Sequence, residues 1–133
     1  MQPTLHRTRT FVREARKTTP YVCINYSTGH IEMKGVSHPE NVFTFFNPIY
    51  EAIRYFAIFP STQIVADFSF EYFNTSSARS IFMILKEMKE LQKRGRQLTI
   101  NWHYEEGDDD MQETGEDFEE LIGLKFNYIE VED

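Results

Sequence analysis

Residues 62–73 alternate with a period of two, and no other stretch restricts the fold as tightly. Ile64, Ala66, Phe68, Phe70 and Tyr72 fall on one side, with Val65, Asp67, Ser69, Glu71 and Phe73 on the other. Successive side chains of an extended chain point to opposite faces. This run is therefore predicted to be a long strand with one face on a core and the other much wetter. Such a strand needs sheet partners.

The flanking sequence supplies them. Tyr21–Tyr26 is rich in β-formers, Ser27-Thr28-Gly29-His30 is a turn, and Ile31–Lys34 alternates, so a β-hairpin is expected. Ser37-His-Pro-Glu40 has the form of a capping box with Pro39 in the first helical turn. Val42, Phe45, Phe46, Ile49, Ile53 and Phe56 then recur at helical spacing until Pro60. A second helix is predicted after Asn74-Thr75-Ser76-Ser77, with Ala78, Ile81, Ile84, Leu85, Met88 and Leu91 on its core face and Lys93-Arg94-Gly95 at its end. Leu98, Ile100, Trp102 and Tyr104 alternate with Thr99, Asn101 and His103 as another half-buried strand. Residues 105–110 form an acidic loop, residues 111–122 a short helix packing on Met111, Phe118, Leu121 and Ile122, and Phe126–Val131 a last strand.

The expected fold class is therefore α/β: a β-hairpin followed by alternating helices and strands, in one mixed sheet whose helices lie mainly on one face. Strands joined through helices should run parallel with right-handed crossovers. Residues 20–133 are read as one domain, and residues 1–19 as a basic N-terminal arm or edge strand (Leu5, Arg7, Arg9 and Phe11 alternate loosely).

With 133 residues, 41% hydrophobic and 26% charged, the chain can bury one sizeable core. The net charge of −7 disfavours binding to nucleic acid. Charge is also unevenly spread. Residues 1–20 carry five bases (Arg7, Arg9, Arg13, Arg16 and Lys17) against Glu14, while residues 105–133 carry 13 acids against Lys125 alone. The acidic end should steer basic partners. The longest apolar stretch, Ile49–Phe59, is interrupted by Glu51 and Arg54, so no membrane insertion is expected. The N-terminus lacks the apolar core of a secretory signal; its Arg- and Thr-rich character is shared with transit peptides, and the arm reading is preferred. One cysteine, Cys23, allows no intrachain disulfide, fits a reducing cytoplasmic setting, and is read as a small buried hydrophobe.

Few residues offer chemistry. Asn74-Thr75-Ser76-Ser77 places three hydroxyls where a strand ends and a helix begins, and free amides with the positive end of the helix dipole tolerate an anion there. Plain helix capping is the simpler account, although one cap does not need three hydroxyls. Glu105-Glu106-Gly107-Asp108-Asp109-Asp110 could hold Mg²⁺ or Ca²⁺, but it lacks the ligand spacing of a calcium loop and reads more simply as a solvated charge run. His6, His30, His38 and His103 show no metal or triad spacing. No catalytic constellation is found, and neither a cofactor nor a metal is expected.

Six short segments in order, Gly35-Val-Ser-His-Pro-Glu-Asn41, Phe46-Asn-Pro48, Glu71-Tyr-Phe-Asn-Thr-Ser-Ser77, Trp102-His-Tyr-Glu105, Asp108-Asp-Asp-Met111 and Gly115-Glu-Asp-Phe118, resemble the SiaC family of regulatory phosphoproteins over roughly residues 18–131. The resemblance implies a domain like the STAS anti-sigma-factor antagonists and a non-enzymatic, partner-switching role. It implies phosphorylation of Thr75 by a serine/threonine kinase and its reversal by a PP2C-type phosphatase. The unphosphorylated form would bind and activate a diguanylate cyclase, linking the chain to cyclic-di-GMP and biofilm formation. Asn74, Ser76 and Ser77 are then expected beside the phosphate as partner-binding neighbours, with Arg79 as a flanking interface charge. The chain itself is expected to be a monomer or weak dimer. Two alternatives stand beside this one: a metal-binding small enzyme using the 105–110 loop, and an interaction module without phosphorylation.

Overall fold

A computed structural model describes residues 10–59 and 63–132. Six strands form one sheet in sequence order: β1 (Thr10–Arg13), β2 (Tyr21–Asn25), β3 (His30–Ser37), β4 (Gln63–Phe73), β5 (Gln97–Glu105) and β6 (Phe126–Val131). β1, β2 and β3 pair antiparallel, and β3 through β6 pair parallel. The parallel strands are joined by α1 (Val42–Arg54) with a 3₁₀ turn (Tyr55–Ile58), α2 (Thr75–Lys93) and α3 (Asp109–Ile122). Each crossover steps the same way across the sheet, so connections of one hand lay all three helices on one face. Within the basic arm, β1 takes up Thr10–Arg13 as an edge strand and residues 14–19 lead on to β2; residues 1–9 of the arm and the proposed stop at Pro60 lie outside the described residues.

The core sits between this face and the helices. Val22, Ile24, Ile31, Met33, Ile64, Ala66, Phe68, Ile100 and Trp102 from the sheet meet Ile49, Ile53, Ile81, Leu85 and Met88 from the helices, all essentially sealed from solvent. At the end of α2 the amide of Gly95 donates to Gln92 O and that of Arg96 to Leu91 O, the hydrogen-bond pair of a Schellman motif, which stops the helix where the sequence signature places it. The Arg96 guanidinium then donates to the carbonyls of Phe56, Ala57 and Phe59, holding the end of the α1 segment against the start of β5.

Three local expectations are corrected. First, Ser37–Glu40 does not start α1. β3 runs on to Ser37, which pairs with Phe73, and Pro39 restricts His38 to extended backbone. The cap is Asn41, whose Oδ1 accepts from Thr44 N at 3.1 Å. Second, β4 does not alternate to its end. The register shifts after Gly35 (φ +111°), so that Gly35 opposes Phe70 while Val36 opposes Tyr72, leaving Glu71 unpaired. One extra residue reverses the phase. Tyr72 is 53% exposed, and Phe73 turns inward against Phe70, Trp102 and Phe118. Third, Leu121 is 71% exposed. α3 packs through Met111, Gly115, Phe118 and Ile122, and Leu121 lies about 90° around the helix from that stripe.

Trp102 anchors α3 to the sheet. Its Nε1 donates to Met111 O at 2.9 Å, and its ring lies against Gly115. A Cβ at Gly115 would stand 2.6 Å from the indole, so Gly115→Ala is expected to cost about 1–3 kcal/mol through overpacking. Urea denaturation of the two proteins measures the difference; equal midpoints and slopes would show that α3 does not depend on this contact.

Candidate functional site

At the bulged end of β4 the chain turns directly into α2. Asn74 caps the helix, its Oδ1 accepting from Ser77 N at 2.9 Å. Three further hydrogen bonds tie this corner to the end of β3. Asn74 N donates to Ser37 O at 3.0 Å, and Ser77 Oγ lies 3.0 Å from Ser37 O and 2.8 Å from Ser37 Oγ. Both serines are fully buried. Ser77 is thereby removed from the expected set of partner-contacting residues. Its hydroxyl points into the fold and fastens the helix start to the sheet, donating to the Ser37 carbonyl and so leaving its oxygen to accept from the Ser37 hydroxyl.

Helical geometry carries the neighbouring side chains outward. Thr75, the first residue of α2, is exposed, as are Ser76 and Arg79, while Asn74 is half-buried under its own cap. Thr75, Ser76 and Arg79 share one wall of a groove between α1 and α2, with a volume of about 550 Å³. Opposite stand Val42, Phe43, Phe46 and Tyr50 of α1, and Met83 continues the floor along α2. Phe43 is 70% and Met83 43% exposed, so apolar surface is left open beside the hydroxyls. The groove could not be read from sequence. Phe43 falls off the core stripe of α1, and only the packing of two helices reveals that it faces Thr75 across a cleft.

The acidic run serves a helix start. Asp108 Oδ1 accepts from Met111 N at 3.1 Å, and Asp109 and Asp110 occupy the first turn of α3, where carboxylates complement the dipole. Among the described residues no three His, Cys, Asp or Glu side chains are arranged to hold a metal ion. Cys23 is half-buried rather than sealed in the core, because its position on β2 faces the side of the sheet away from the helices.

That open face carries a polar cluster that sequence spacing does not reveal. His30 Nε2 lies 2.7 Å from Asp67 Oδ2, His103 Nε2 lies 2.8 Å from Asp67 Oδ1, and Asn101 Nδ2 donates to the same Oδ1 at 3.0 Å. Asn127 Nδ2 donates in turn to Asn101 Oδ1. An ionised Asp67 only accepts, so each imidazole presents an Nε2–H to it. Partial burial pushes the Asp67 carboxyl up, but the bonds from His103, His30 and Asn101 outweigh it and hold the group below the usual carboxylate value. A depressed carboxyl stabilises the fold above its unfolded value of about 3.9 and loses that contribution as pH falls through the folded value. Asp67→Asn should therefore lower the thermal midpoint at pH 7, with the gap to wild type closing as pH falls below about 4. Melts recorded across this range check the expectation, and a gap independent of pH would contradict it.

Comparison with known proteins follows the same lines. An uncharacterized protein of Pseudomonas aeruginosa (strain UCBPP-PA14) is 28% identical over 110 residues, covering 83% of this chain and 87% of its own. The crystal structure of apo-SiaC from Pseudomonas aeruginosa superposes with a TM-score of 0.81 at 25% identity, covering 90% of this chain and 98% of that one. A chain from the crystal structure of the diguanylate cyclase SiaD in complex with its activator SiaC, from the same organism, superposes with a TM-score of 0.85 at 25% identity, covering 91% and 99%. The description of the SiaC family regulatory phosphoproteins matches residues 13–131. With that match spanning nearly the whole chain and the mixed sheet and helices reproduced, this protein belongs to the SiaC family of regulatory phosphoproteins and acts as a regulator rather than an enzyme.

Proposed function

We propose that this chain is a partner-switching regulator whose unphosphorylated form docks through the α1–α2 groove onto a diguanylate cyclase and activates it, and whose phosphorylation at Thr75 releases it. The observation that carries this reading is an exposed threonine at the first position of a helix, on the rim of an open apolar groove. A regulatory phosphoprotein family and a structural relative whose SiaC chain is the activator of a cyclase support it.

The chemistry is a simple exchange. The Thr75 hydroxyl gives up its proton and takes the γ-phosphoryl group of ATP from a serine/threonine kinase, with ADP leaving. A PP2C-type phosphatase restores the hydroxyl with water, and inorganic phosphate leaves. ATP and a cyclase acting on GTP place this cycle in the cytoplasm. Phosphate adds about −1.5 to −2 charge at pH 7. In the free protein the start of α2 accommodates that charge, a favourable effect of about 0.3–1 kcal/mol. Against a docked partner the same group must lose water beside Phe43 and Met83, which is costly unless the partner supplies a matching cation. The fold therefore need not rearrange for binding to be lost.

In the native host, intact mass and peptide sequencing should show one phosphoryl group on wild type and none on Thr75→Ala. Cells lacking the protein should regain cyclic-di-GMP with Thr75→Ala, and fail to regain it with Thr75→Asp. A phosphoryl group that persists on Thr75→Ala would refute the acceptor, and equal cyclic-di-GMP with both variants would refute the switch.

A further inference from the structure

The groove beside Thr75 holds one charged side chain. Arg79 is exposed, and among the described residues it makes no ion pair or hydrogen bond. Every other lining residue is neutral: the facing wall from α1 offers Val42, Phe43, Phe46, Asn47 and Tyr50, and the Tyr50 hydroxyl already donates to Glu87 at 3.1 Å. An unpaired guanidinium set among apolar side chains is suited to a carboxylate arriving with an apolar segment, because the surrounding low dielectric strengthens that pair and Arg engages carboxylates with two parallel bonds.

Arg79 also lies four residues after Thr75, on the same side of α2 and on the same groove wall. Side chains so spaced are neighbours, and an acid placed N-terminal to a base at this spacing is the better of the two orientations. Building on the proposed phosphorylation, we propose that Arg79 is the residue through which phosphorylation is read. In the unphosphorylated protein it receives an acidic side chain of the docking partner. In the phosphorylated protein the phosphate on Thr75 takes it, so the modification both adds an anion to the groove and removes the cation that selects the partner. Arg79 is thus a specificity-determining residue, and the occupant of the groove is a segment bearing apolar side chains and a carboxylate.

The pairing is testable without any partner or kinase. Phosphothreonine installed at position 75 by genetic encoding titrates near pH 6, and ³¹P NMR follows it directly. A neighbouring cation favours the dianion, so the phosphate of the wild-type background should titrate about 0.3 unit or more below that of Arg79→Gln, with Arg79→Lys shifted in the same direction. Thermal melts of the three proteins verify that they fold alike. Identical phosphate titrations in wild type and Arg79→Gln would overturn the pairing. In cells, Arg79→Gln with Thr75 intact should fail to restore cyclic-di-GMP, as Thr75→Asp does; full restoration would overturn the partner-facing role. If the Thr75 variants have no effect on cyclic-di-GMP while the ³¹P shift is present, the switching function fails and the pairing stands, so the two conclusions fail separately.

Discussion

Two buried hydroxyls fix the orientation of everything at the end of β4. Ser77 Oγ is held by both the carbonyl and the hydroxyl of Ser37, and Asn74 N donates to that same carbonyl. With Ser77 turned inward, residues two positions away on a helix lie about 200° around its axis. Those residues are Thr75 and Arg79. A single inward contact therefore sends both of them outward, and to the same side. Burying the two hydroxyls is inexpensive because each is hydrogen-bonded, Ser37 Oγ to Ser77 Oγ and Ser77 Oγ to the Ser37 carbonyl as well. Family membership is consistent with such a corner, but its geometry follows from these bonds alone.

The bulge at Glu71 does comparable work one turn of chain earlier. Without it, strict alternation would bring Tyr72 into the core and turn Phe73 out. With it, Phe73 closes the aromatic cluster of Phe70, Trp102 and Phe118 that holds α3. The helix-covered face is thus completed by an aromatic ring, and β4 still reaches Ser37, which pairs with Phe73. The opposite face remains a polar surface organised by Asp67, which collects three donors from the two strands beside it, one from β3 and two from β5. The molecule therefore presents two unlike surfaces, one apolar and grooved, the other a hydrogen-bonded network.

Much of this was legible in the chain because it is periodic. The core face of α2, from Ile81 to Leu91, and the alternation of β5 are local patterns that packing had no reason to override. The position of Thr75 at a helix start also followed from its neighbours. What escaped depends on partners distant in sequence. Ser37 carries the local signature of a helix cap, yet its pairing with Phe73 keeps it in a strand, and Pro39 favours that outcome. The bulge has no signature apart from Gly35, since a register shift is a property of two strands. His30, Asp67 and His103 lie 36 or 37 residues apart and meet only once three strands are side by side. Gly115 reads as a weak point in a helix until the indole that fills its space is known. The groove residue Phe43 was invisible for the same reason: sequence patterns identify what a helix buries more readily than what it leaves uncovered.

The electrostatics of the whole chain bear on how a phosphate at Thr75 would act. The protein already carries a net charge of −7, with its acids concentrated in residues 105–133. Adding about two more negative charges changes the distant field only modestly, and salt at physiological strength screens exposed charges beyond about 8 Å. Long-range repulsion is therefore a weak way to dismiss a partner. Once a partner covers the apolar groove the screening fails, because water and counterions are then excluded from it. Under the proposed switch, desolvation of the phosphate and loss of Arg79 would both act there, about one helical turn apart. The proposed switch would therefore work locally, at the corner built on Ser37 and Ser77 that turns Thr75 and Arg79 to the same side of α2.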